Sequence, residues 1–231
     1  CANMRVPLAL ALIGSAIIAA CSSGPRWKGR DPVFSKLPVS RNPRYAKANL
    51  IEISQVDSSI SIDLRYTRGS TILKSPLYEM GMPALLRPET AVRLRRANEV
   101  VKKHGYRIQI WDAYRPPSAQ LKLWYASGED VRFVADPFSK PSQHSCGTAV
   151  DVTLVTSSGK AVEMPTGFDV FSPKAAARYE HPDPEVMKRK LLLQRAMYEA
   201  GFFPLPNEWW HFTDKNFKKY PDTIALKDIR P

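Results

Sequence analysis

The chain has 231 residues, 44% of them hydrophobic, and a formal charge of +12 at pH 7. That is length enough for one domain with a sizeable core. A basic balance can suit nucleic acid, anionic lipid or another polyanion. The basic residues are spread, however, and Arg93-Arg95-Arg96, Lys102-Lys103 and Lys188-Arg189-Lys190 read as solvated helix faces. Together with the export signal below, this spread excludes a nucleic-acid surface from the expectations.

At the N-terminal end, Met4-Arg5 is a short basic start and Val6 to Ala20 is an uncharged, apolar run. The run is too short for a comfortable membrane span and right for a secretory leader. It ends Ile18-Ala19-Ala20-Cys21-Ser22, which resembles a bacterial lipobox. The resemblance implies cleavage before Cys21, lipidation of Cys21, and a protein anchored on the periplasmic side of the envelope. Ser22 is compatible with the outer membrane. An ordinary signal peptide is the plainer alternative. The expected division is a leader over residues 1–20, a lipidated Cys and Pro-rich tether over 21–49, and a folded domain over 50–231. Cys146 is the lone cysteine of that domain, so its core, with any metal it binds, must hold it together.

Partial alternation over Ile51 to Tyr66 predicts strand structure. Pro88 to His104 predicts a helix, with Pro in its first turn, Ala91, Leu94, Ala97 and Val101 at helical spacing, and Gly105 beyond its end. Tyr106 to Trp111 reads as a strand, Ser118 to Tyr125 as a short helix, and Ser127 to Pro141 as loop. Thr148 to Val155 follows the Gly147 turn as a strand. Pro184 to Ala200 is a helix with Asp183 as N-cap and Gly201 past its end. Helices and strands without regular alternation point to an α+β fold, a single compact domain with a central antiparallel sheet flanked by helices.

Two segments carry chemistry. One runs Ser142-Gln143-His144-Ser145-Cys146-Gly147-Thr148-Ala149-Val150-Asp151, the other Glu208-Trp209-Trp210-His211-Phe212. Together they offer two imidazoles and a carboxylate as ligands, with a second carboxylate near the last imidazole. A catalytic zinc needs three protein ligands, an open position for water and a base. A turn at Gly147 lets His144 and Asp151 face one point. A carboxylate in so apolar a strand needs a partner, because burying it alone is costly; a metal or a basic side chain would serve. Glu208 and His211 are three apart, so on an ideal strand they face opposite ways, and a bend is needed for both to join one site. The flanking aromatic residues are expected to wall the site, or simply to belong to the core. His181 and His104 read as surface residues. In a third segment, Trp111-Asp112-Ala113-Tyr114-Arg115-Pro116-Pro117, Arg115 follows a strand and precedes a rigid Pro pair. It is either a surface Arg or a cation placed for a developing oxyanion.

The three segments, in this order, resemble the D-alanyl-D-alanine dipeptidases, within the wider family of zinc D,D-carboxypeptidases and dipeptidases. The Ser-x-His-x-x-Gly-x-Ala-x-Asp pattern is met by Ser142, His144, Gly147, Ala149 and Asp151. The Glu-Trp-Trp-His tetrapeptide is met in full, and Trp111, Asp112, Tyr114, Arg115 and Pro116 complete the third stretch. The resemblance implies one zinc per chain on His144, Asp151 and His211, at one face of the sheet. It implies Glu208 as the base and Arg115 beside the oxyanion. Asp169 and Tyr66 would clamp the ammonium of a small dipeptide substrate, and Ser142 would touch its backbone. Cys146 stands where such proteins often carry Arg, and reads as a further soft ligand or a small buried residue. The alternatives are a D,D-carboxypeptidase acting on peptidoglycan stem peptides, and a wall-binding lipoprotein without turnover.

Overall fold

The computed structural model describes residues 36–69, 73 and 75–229. The expected leader, Cys21 and the tether as far as residue 35 lie outside the described residues. The unit that carries the fold starts at Leu37. Among the described residues no helix is long and apolar enough to cross a membrane.

The chain enters through α1 (Pro43–Lys47), capped by the Asn42 side chain, and β1 (Ile51–Glu52). The predicted strand over Ile51 to Tyr66 is broken: α2 (Ile53–Val56) intervenes, and only Ser61–Ile62 forms β2. The alternation there misleads because Ile62 stays 43% exposed while Ile60 and Leu64 are buried. β3 (Leu85–Leu86) pairs with β1 in a small antiparallel sheet. Next come α3 (Pro88–Lys102), β4 (Tyr106–Asp112), α4 (Pro117–Ala126) and β5 (Ala149–Thr156). Helix α5 (Pro184–Ala200), β6 (Phe202–Leu205) and β7 (Glu208–Asp214) follow. The main sheet has the order β2-β4-β5-β7-β6. It is antiparallel except for the short parallel pair β2–β4. The fold is therefore α+β, with helices against a largely antiparallel sheet.

Helix α5 runs where the sequence placed it. The Asp183 side chain accepts from the Glu185 and Val186 N–H groups, and Gly201 closes it at φ +94°, a conformation that favours glycine. Helices α3 and α5 pack on each other and on the sheet, burying Leu94, Ala97 and Val101 against Leu193, Ala196 and Met197 beside Ile108, Ile110, Val152 and Leu154.

Two basic residues expected on solvated faces are buried instead. Arg93 is 3% exposed and reaches Glu89 at 3.2 Å and Asp214 at 3.3 Å. Lys190 is 2% exposed and donates to the Ala177 and Tyr179 carbonyls. Each cation is tolerated inside because acceptors meet it there. Lys190 and Gln194, which also donates to Ala177 O at 2.8 Å, pin the loop between β5 and α5 to the helix. The Ala177 N–H in turn bonds the Pro206 carbonyl, next to the start of β7.

Candidate metal centre

The site is built on β5, on β7 and on the turn before β5. Across the β5–β7 ladder Asp151 lies directly opposite His211. Directly opposed residues put their side chains on the same face of a sheet, near enough to touch. His144 comes from the turn, whose closure requires Gly147 at φ +74°. A Cβ there would stand 2.9 Å from Leu50 Cδ2. The His144 carbonyl accepts from the Gly147 and Arg115 N–H groups, and its ring Nδ1 donates to Ala113 O at 2.7 Å. That bond leaves Nε2 as the free ligand atom, the usual device for fixing a metal-binding imidazole.

The three candidate ligand atoms converge. His144 Nε2 to His211 Nδ1 is 3.1 Å, His211 Nδ1 to Asp151 Oδ1 is 2.9 Å, and His144 Nε2 to Asp151 Oδ2 is 3.5 Å. Ligands about 2.0–2.1 Å from a tetrahedral zinc stand ~3.3 Å apart, so this triangle fits a small metal ion. Cys146 is fully buried and stands outside the group, and burial pushes its thiol up. It is the small buried residue of the turn.

The electrostatics suit ligation. Burial alone would raise Asp151, but the His144 and His211 imidazoles outweigh it and hold the carboxylate far below its ordinary range. Burial lowers His211, keeping the ring neutral and able to coordinate.

Glu208 meets this triangle through an irregularity that the sequence did not reveal. The β6–β7 register runs Phe203↔Thr213, Pro204↔Phe212, then Leu205↔Glu208. Trp209 to His211 thus bulge against a single step of β6, which turns the first residue of β7 toward the side where His211 points. Glu208 Oε2 lies 4.0 Å from His211 Nδ1. Burial, then the Asp151 and Asp169 carboxylates, push Glu208 well above the ordinary carboxyl range.

A second irregularity serves Arg115. The β4–β5 register passes from Ile110↔Val152 to Asp112↔Asp151, so Trp111 is extra and Asp112 faces the site. Asp112 Oδ2 accepts from Arg115 Nε at 3.0 Å and Nη2 at 2.7 Å, while Oδ1 accepts from Tyr78 Oη at 2.6 Å. Arg115 Nη2 is also 3.7 Å from Asp151 Oδ2. Arg115 is 6% exposed, far from the surface role its sequence position allowed. Burial works against its charge, but Asp112 outweighs burial and keeps it protonated. Asp112 and Tyr78 were missed as supports. The Asp112-x-x-Arg115 spacing carried the signal for the first, whereas Tyr78 lies in a loop with no pattern to mark it.

Beyond the triangle, Tyr66 Oη donates to Asp169 Oδ1 at 3.2 Å. Asp169 sits in the left-handed region at φ +57°. Its Oδ2 is buried with no hydrogen-bond partner among the described residues. Burial, then the Asp151 charge, push Asp169 up to about 7. Asp169, Tyr66, Ser142, Arg115, Glu208 and the three candidate ligands line one cleft of about 620 Å³. Trp209 and Trp210 do not line it. They are fully buried in a cluster with Trp111 and Phe168 that backs Tyr66, where edge-on ring packing holds them in the core. His104 is exposed; His181 is half-buried beside Tyr179, away from the triangle.

The α+β domain thus brings together a buried His-Asp-His triangle and an adjacent carboxylate, a donor set that could hold a metal ion, and similarity to known proteins makes the chain a metallopeptidase. Residues 46–227 match the family model described as D-ala-D-ala dipeptidase, and the chain belongs to that family. It is 31% identical over 172 residues to a D-alanyl-D-alanine dipeptidase of Escherichia coli, covering 74% of this chain and 88% of that one. A Streptomyces coelicolor D-alanyl-D-alanine dipeptidase is 32% identical over 149 residues, covering 56% and 72%. Among solved structures, a zinc-bound mutant of the vancomycin-resistance D,D-pentapeptidase VanY matches with 16% identity and a TM-score of 0.37, over 66% of this chain and 87% of that one. Nothing about the site follows from so slight a likeness. Membership of the family makes the chain a D,D-peptidase.

Proposed function

We propose that the protein is a zinc-dependent dipeptidase that hydrolyses D-alanyl-D-alanine to two D-alanines. The observation that carries this reading is Asp169 Oδ2, a buried carboxylate oxygen with no hydrogen-bond partner among the described residues, in the same cleft as the candidate ligand triangle. A buried acceptor left unsatisfied calls for a ligand donor, and the ammonium of a short substrate supplies one. His144, Asp151 and His211 would hold the metal. When bound, zinc supplies Lewis acidity to the scissile carbonyl and to the attacking water.

The chain's own residues do the rest. Glu208, beside the triangle in the same cleft, takes the proton of the attacking water and delivers it to the leaving amine. The Arg115 guanidinium, held by Asp112, faces the negative charge that develops on the carbonyl oxygen. Tyr66 and Asp169 bind the substrate ammonium, and Ser142 at the cleft wall bonds the substrate backbone. The D,D-carboxypeptidase reading keeps one observation in its favour: the cleft volume lies in the range that holds drug-sized ligands, with room beyond two alanines. The lipobox-like leader and this chemistry together suggest envelope anchoring and recovery of D-alanine from wall turnover.

The test is D-alanine release from D-Ala-D-Ala by the purified protein, with and without zinc, beside Glu208→Ala and with a stem pentapeptide as rival substrate. Zinc-dependent release from the dipeptide is expected, with kcat reduced about 10²–10⁴-fold in Glu208→Ala. Turnover of the pentapeptide alone would overturn the dipeptidase reading. Unimpaired Glu208→Ala would remove Glu208 as the base.

A further inference from the structure

Arg115 is gripped from two sides, and the second grip comes from a residue outside all three motifs. Gln120, on α4, is 2% exposed. Its Oε1 accepts from Arg115 Nη1 at 2.8 Å, and its Nε2 donates to the Ala135 carbonyl at 2.7 Å. Ala135 belongs to the 127–141 loop, whose Val131, Arg132, Val134 and Lys140 line the cleft. A buried amide is tolerated only when both its ends are bonded, and here one end holds the guanidinium and the other the cleft wall.

A guanidinium has five N–H bonds. Asp112 engages Nε–H and one on Nη2, and Gln120 engages one on Nη1. One N–H on each terminal nitrogen remains. The Asp112 and Gln120 contacts together fix the plane in which those two point. Asp112 accepts through a single oxygen and the Tyr66 ring, 5.1 Å from Cζ, covers one face of the guanidinium, so Gln120 is the second hydrogen-bonded anchor in its plane.

We propose that Gln120 is a positioning residue that couples the cleft-wall loop to Arg115. It sets the guanidinium plane from the Nη1 side and, through Ala135, fixes the loop against the same group. This rests on the reading of Arg115 as the oxyanion donor. Small misplacements of such a donor cost rate rather than affinity, since they act on the transition state.

The test uses the full-length, zinc-loaded protein with Gln120→Met, Gln120→Glu and Arg115→Ala. Methionine fills the space with neither bond. Glutamate keeps the acceptor for Arg115 but cannot donate to Ala135. Gln120→Met is expected to lower kcat on D-Ala-D-Ala by about 10–100-fold with KM little changed. Gln120→Glu is expected to recover most of that kcat. Both variants are expected to show faster amide hydrogen exchange over 131–141, a reading that needs no turnover and stands even if Gln120→Met folds poorly. An unimpaired Gln120→Met, a Gln120→Glu as slow as it, or unchanged exchange in that loop would each overturn the proposal. If Arg115→Ala itself retained full kcat, the role of Arg115 would fall and the proposal with it. Slow Arg115→Ala beside unimpaired Gln120 variants would overturn the proposal alone.

Discussion

Asp169 combines a left-handed backbone, near-complete burial and an oxygen without a hydrogen-bond partner among the described residues. Each is costly alone, and such costs gather where a ligand repays them. Asp169→Asn removes the charge and keeps the shape. On the ammonium-clamp reading, kcat/KM for D-Ala-D-Ala falls by about 10²–10³-fold, the cost of breaking a buried charge pair. Stability without metal moves the other way. The folded carboxyl titrates at about 7 against 3.8 for the free side chain. The folded state thus holds a proton that the unfolded state releases between those values. That contribution is fully present below pH 4 and is lost as pH rises through 7. In thermal melts of the metal-free protein, Asp169→Asn should match the parent near pH 4 and exceed it by on the order of 10 °C at pH 8. An equal gap at both pH values would rule out titration of Asp169 as the cause.

At the scale of elements, one turn and two register shifts deliver the site. Gly147→Ala tests the turn: its positive φ and the 2.9 Å approach to Leu50 leave no room for a methyl group. Destabilisation of at least ~1–2 kcal/mol is expected by denaturant titration, with weakened metal binding because His144 rides on that turn. Helices α3 and α5 were legible because helical periodicity and caps are local. So were the strands β4 and β5, and the resemblance named the three residues that converge as candidate ligands. What was not legible is non-local. The bulge that turns Glu208 toward His211 depends on how β6 pairs with β7. The burial of Arg93 and Lys190 depends on acceptors distant in sequence, Asp214 for one and Ala177 and Tyr179 for the other. Gln120 and Tyr78 bear on the site only through contacts made after folding.

For the whole molecule, the triangle joins β5 to β7 and to the turn before β5, so an ion held there ties these elements together. A ligand present at 1,000 times its Kd adds about 4 kcal/mol. Stripping zinc with a chelator should therefore lower Tm by on the order of 10 °C in calorimetry, reversibly on re-addition. An unchanged Tm would mean that the triangle does not bind the ion in the folded protein. There is also an order in time. His211 lies on β7, the last of the described strands in chain order, and pairs there with β5. During synthesis from the N-terminal end, a chain that has already displayed His144 and Asp151 offers only two of the three ligands. If the triangle holds the ion as proposed, its acquisition would belong to the closing steps of folding and would mark finished molecules apart from partial ones.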